Sequence, residues 1–167
     1  MTHAGAPEGD GRHDFDFLFG RWRVANRRLS RPLDERGSEW SEFASVMETR
    51  PVLGGLGNID TYFAADLPGR GAFHGLTVRL FEPDAADWRI WWASTFTHGQ
   101  LDTPMVGRFV DDEGHFECDD VLEGREVRVR FLWTGISPTR ARWEQSFSFD
   151  HGATYALNWV MELRRDG

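Results

Sequence analysis

Apolar and polar residues alternate along most of the chain beyond residue 13. In "REVRVRFLW", Val127, Val129, Phe131 and Trp133 share one face and Arg128 and Arg130 the other. In "RARWEQSFSF", Trp143, Gln145, Phe147 and Phe149 share a face, opposite Arg142, Glu144, Ser146 and Ser148. In "YALNWVMEL" the shared set is Tyr155, Leu157, Trp159, Met161 and Leu163. A period of two marks a strand with one face buried. In "AFHGLTVRL" the same rule puts Ala72, His74, Leu76, Val78 and Leu80 on the apolar face and Arg79 opposite. Strands are predicted over 20–29, 39–48, 58–64, 71–81, 88–94, 105–110, 114–119, 125–133, 139–149 and 155–163. A short helical or 3₁₀ entry is predicted over 14–19. Pro, Gly and Asp turns such as "LPGRG", "EPDAAD", "DDEG" and "DHGA" separate the strands at nearly regular spacing. No long apolar stripe of period 3.6 occurs. Such a meander predicts an all-β fold, a closed antiparallel up-and-down barrel of about ten strands, because closure removes exposed strand edges. Residues 1–12, Gly-rich and polar, read as a disordered tail, and 13–167 as one barrel domain.

The barrel opens with "FDFLFGRW". Gly20 and Trp22 resemble the glycine-x-tryptophan start of calycin barrels, the superfamily of lipocalins and fatty-acid-binding proteins. The segments "LGGLGNID", "TVRLFEPDAADWRIWW", "VGRF" and "RWEQSFSFDHGATYALNWVMEL" extend the likeness over nearly the whole chain after residue 13. Together they resemble a bacterial family of calycin-like barrels with no assigned reaction. The resemblance implies a calycin-like fold in which Trp22 closes one barrel end and the preceding turn caps it. It implies no catalytic residue.

Composition adds to this picture in three ways. Eight Trp and 13 Phe in 167 residues favour long inner surfaces or a ring-lined cavity. A net charge of -8 argues against nucleic acid or an anionic membrane as main partner. All 19 basic residues are Arg, which removes lysine Schiff-base chemistry. The single cysteine, Cys118, allows no internal disulfide, and no Cys/His zinc spacing occurs. The apolar run at 15–19 is broken by Asp16 and is too short for a signal or a membrane span. A reducing, cytoplasmic setting is the expectation, and a homodimer is compatible with these totals.

The candidate chemistry is sparse. His74, on its predicted inward face, could transfer a proton near neutral pH or ligate haem. Gln145, the one polar residue on an aromatic face, either satisfies a neighbouring strand or bulge or holds a ligand carbonyl or hydroxyl. Trp92, Trp143, Trp159 and Met161 would supply apolar walls, with Trp91 competing against Trp92 for the inward position. Arg79 and Arg130 are outward by alternation. A bulge that re-aimed either one, paired with Asp60, Asp102 or Asp120, would suit an anionic ligand. "LGGLGN" lacks the lysine and helix of a phosphate loop, and no GxSxG occurs. The expected function is a carrier or sensor of a small apolar or aromatic molecule. The alternative is a cofactor-free cyclase or isomerase working by proton transfer on an aromatic or polyketide-like substrate, with His74 and Gln145 catalytic. Haem binding ranks third, and no metal or cofactor is expected.

Overall fold

A computed structural model describes residues 9–167. Ten strands form one closed barrel: β1 (Gly20–Leu29), β2 (Trp40–Val52), β3 (Gly57–Leu67), β4 (Gly71–Glu82), β5 (Asp87–Ser94), β6 (Met105–Val110), β7 (Glu113–Leu122), β8 (Arg125–Thr134), β9 (Arg140–Ser148) and β10 (Ala156–Arg165). Each strand pairs antiparallel with its chain neighbours, and β1 pairs with β10 to close the ring. This is the closed antiparallel barrel that the alternation predicts, with strand ends moved by four residues at most. Of the predicted 1–12 tail, residues 1–8 lie outside the described residues. Gly11 sits against the barrel, its carbonyl accepting from Trp88 Nε1 at 2.9 Å. No helix among the described residues is long and apolar enough to cross a membrane.

One end is plugged. A 3₁₀ turn, Asp16–Leu18, carries Phe15 and Leu18 into the barrel, both fully buried. Phe15 lies edge-on to Trp88 and Phe109, with ring centroids at 5.0 and 4.9 Å, and stacks near Phe116 at 5.6 Å. Trp22 is fully buried and donates its indole N–H to Leu18 O at 2.9 Å. Arg165 from β10 covers the indole at 4.1 Å from the ring centroid. Its guanidinium also donates to the carbonyls of Phe17, Phe19 and Pro138. Gly20 makes this junction: its φ of +104° is left-handed territory, and a Cβ there would meet Arg165 Nη1 at 2.9 Å. The glycine and the tryptophan of the opening motif thus act together on the plug.

Two strands depart from the predicted facing. In β4 the inward set is Phe73, Gly75, Thr77, Arg79 and Phe81, all but Gly75 among the buried side chains named for the chain. His74 and Leu76 point out, Leu76 with 37% of its surface exposed. Gly75 explains the reversal. A Cβ at Gly75 would meet the Trp92 indole at 2.0 Å, so the glycine gives Trp92 room to lie across the inner face. In β10 a bulge between Leu157 and Trp159 shifts the register against β9. Trp159, Met161 and Leu163 face inward as predicted. Before the bulge the parity inverts, and Tyr155 lies outside, bonded to Glu117 on β7.

Candidate functional site

The inward faces enclose a cavity of about 250 Å³. Its middle is walled by Trp92, Phe131, Trp143, Trp159 and Tyr62, with Met161 and Met105 filling between them. Trp143 stands edge-on to Trp159, centroids 5.5 Å apart, and Phe131 edge-on to Trp143 at 4.9 Å. Perpendicular rings hold one another at fixed angles and leave flat faces toward the lumen.

A buried amide holds two of these walls. Asn26 on β1 is 3% exposed. Its Oδ1 accepts from Tyr62 Oη at 2.8 Å and from Trp159 Nε1 at 3.1 Å. Its Nδ2 donates to Ser45 Oγ at 2.8 Å and to Phe43 O at 3.3 Å. Every polar tip in this group finds a partner, as buried polar groups require. Burial pushes the Tyr62 hydroxyl well above its ordinary pKa, so it stays a donor. The wall is set before any ligand arrives.

The two ends of the cavity differ. At the inner end, toward the plug, Arg79 Nη1 lies 2.6 Å from Asp60 Oδ2 and donates to Asn58 Oδ1 at 3.0 Å. The guanidinium rests 5.0 Å from the Phe15 ring centroid, within cation–π range. At the mouth stand Asp102, Asp120, Cys118 and Arg28. Arg28 lies over the Trp159 ring at 5.2 Å, its pKa lowered by burial and by Arg70. Desolvation and repulsion from Asp120 raise the Asp102 carboxyl. Burial, then Asp120, Asp119 and Asp102, push the Cys118 thiol up to about 12.

That thiol is therefore expected to be inert. Against an ordinary thiol at 9.0, its thiolate fraction at pH 8 falls about 1,000-fold, and the thiolate is the reactive form. Iodoacetamide labelling followed by mass spectrometry should show almost no adduct on the folded protein and rapid labelling in urea. Asp120→Asn should speed labelling of the folded form. Labelling of the native protein at the rate of the unfolded chain would contradict the assigned environment.

Of the residues singled out in the sequence, Arg79, Trp92, Trp143, Gln145, Trp159 and Met161 line this cavity. Trp92 takes the inward position and its neighbour Trp91 does not. Arg79 faces inward by the regular alternation of β4, with no bulge needed, and its partner is Asp60. Gln145 commits its Nε2 to Asn158 Oδ1 at 2.9 Å, tying down the residue at the β10 bulge. The predicted inward facing of His74 is corrected, and of the two arginines offered as ligand contacts only Arg79 reaches the lumen. His74 is outside the barrel, stacked 4.7 Å from Phe63, because Gly75 and Arg79 hold the other parity inward. Arg130 is also outside, 3.8 Å over the Tyr155 ring, since Val129 and Phe131 on either side face the lumen. Among the described residues no histidine lines the cavity, and His74 is not placed to act in it as general base or haem ligand. Asp60 is one of the three carboxylates the sequence offers to an inward arginine, whereas the alternation signal misses Tyr62 and Thr77. The mid-strand glycine in "FHGLT" was the available clue, since such a glycine marks close approach of a neighbour.

Neither a protein-family model nor a curated protein matches the sequence. Among solved structures, the barrel is similar to the S-type phycobiliprotein lyase CPES from Guillardia theta, with a TM-score of 0.60 and 12% identity. The match covers 95% of this chain and 96% of that one. At that identity the likeness concerns the fold.

Proposed function

We propose that the barrel binds a small apolar or aromatic molecule between its rings, as a carrier or sensor. The observation that carries this reading is the ring-walled cavity, with two of its walls fixed by Asn26. Its 250 Å³ lies just below the range of about 300–1,000 Å³ common for small-molecule sites, which suits a ligand of one or two fused rings. The likeness to a phycobiliprotein lyase supports an interior that is used rather than merely filled. The proton-transfer alternative loses its base with His74 outside, so binding is the better-supported role.

Naphthalene titrated into the protein should quench tryptophan fluorescence saturably, because Trp92, Trp143 and Trp159 all face the lumen. Val129 also lines it and is 7% exposed. Val129→Trp should fill the space and abolish quenching, with an unchanged far-ultraviolet spectrum, at a stability cost of about 1–3 kcal/mol. Equal binding by Val129→Trp and the parent would place the ligand elsewhere. Absence of saturable quenching by naphthalene would overturn the reading.

A further inference from the structure

We infer that the inner end of the cavity selects a neutral head group with a hydrogen-bond donor and acceptor side by side, such as a carboxamide, lactam or imide. This rests on the binding reading above and adds the chemistry of the ligand's polar end.

The warrant is unused hydrogen-bonding capacity at one place. Asp60 and Arg79 both line the cavity, and their side chains are 1% and 5% exposed. They pair through Arg79 Nη1 and Asp60 Oδ2. Arg79 Nε, a donor, and both carboxylate oxygens of Asp60 are buried without a hydrogen-bond partner, Oδ2 meeting Arg79 only as an ion pair. Thr49, which faces Asp60 across the β2–β3 ladder, also has an unpartnered hydroxyl. Elsewhere along the lumen Tyr62, Trp159 and Gln145 all find partners for their polar tips. Buried polar groups are nearly always satisfied, and exceptions call for an explanation. A ligand supplying an acceptor and a donor would answer Arg79 Nε and the Asp60 carboxylate together.

Charge narrows the class. A carboxylate head would gain Arg79 but meet the Asp60 carboxylate beside it. An ammonium head would gain Asp60 and meet Arg79. The pair is already neutral as a unit, so only a neutral head avoids a like charge at close range. Adjacent N–H and C=O groups on one planar edge fit one donor and one acceptor on neighbouring side chains. The flat body of the ligand then lies between Trp92, Trp143 and Trp159.

Isothermal titration with four probes of one shape tests this: naphthalene, naphthalene-2-carboxamide, naphthalene-2-carboxylate and 2-naphthylmethylammonium. The carboxamide is expected to bind the wild-type protein at least about 10-fold more tightly than each of the others, a difference of about 1.4 kcal/mol. Asp60→Asn and Arg79→Met should each erase most of that advantage while leaving naphthalene affinity near its original value. The wild-type panel decides alone if either variant fails to fold. If naphthalene binds and the carboxamide is no better, or if a charged probe binds tightest, the head-group inference is overturned and the binding reading stands. If none of the four binds, the binding reading falls and this inference with it.

Discussion

Truncating Trp22 to alanine is expected to destabilise the barrel by about 3–5 kcal/mol. The indole is fully buried, so its removal leaves a large void at the plugged end. The Leu18 carbonyl also loses its donor, and the Arg165 guanidinium loses the ring beneath it. For a domain of this size about 2–4 °C of melting temperature accompanies each kcal/mol, so a fall of roughly 10 °C is expected. Trp22→Phe keeps most of the volume and loses the N–H with part of the ring system, so it should cost less. Urea titrations of both variants, with unchanged slopes, measure the difference. A Trp22→Ala variant within 1 kcal/mol of the parent would show that the plug contributes little to closure.

The second large effect concerns the buried ion pair. Arg79→Met should cost about 3–5 kcal/mol, because it leaves the buried Asp60 carboxylate without its counter-charge. Asp60→Leu alone should be comparably harmful, since it strands the guanidinium. The double variant Arg79→Met/Asp60→Leu should recover most of the loss, since paired apolar replacements of buried ion pairs are often neutral. The measured quantity is the coupling in a double-mutant cycle by urea denaturation. Additive losses in the double variant would mean the two side chains act separately. A recovered double variant would show that the pair adds no net stability over apolar side chains at the same positions.

The strands were legible because each buries one face and is bounded by turn residues. β8 and β9 read correctly: Val127, Val129, Phe131 and Trp133, and then Trp143, Gln145 and Phe147, face inward as the alternation says. β4 misled because its outer residues, Leu76, Val78 and Leu80, are more hydrophobic than the inner Thr77 and Arg79. Hydropathy alternation assumes an apolar interior, and this interior turns polar near the plug. β3 carries the same inversion, with Asn58, Asp60 and Tyr62 inside, buried to 1%, 1% and 3% exposure. The β10 bulge was invisible for a different reason. One inserted residue reverses every side chain before it, and composition does not mark it. The polar end of the cavity was thus hidden by the property that makes it useful to a ligand.

The seam between β1 and β10 has a bearing on synthesis. All other strand pairs join neighbours in sequence, so each hairpin can form soon after it leaves the ribosome. Trp22 on the first strand pairs across the seam with Arg165 on the tenth. Until that strand emerges the nascent chain is an open curved sheet with two bare edges and an aromatic concave face. Sealing therefore waits for β10, the last of the ten barrel strands to emerge. A ribosome stalled before that strand would hold a sheet competent to stack with others of its kind. Chaperone dependence should accordingly concentrate at the last strand rather than spread along the chain.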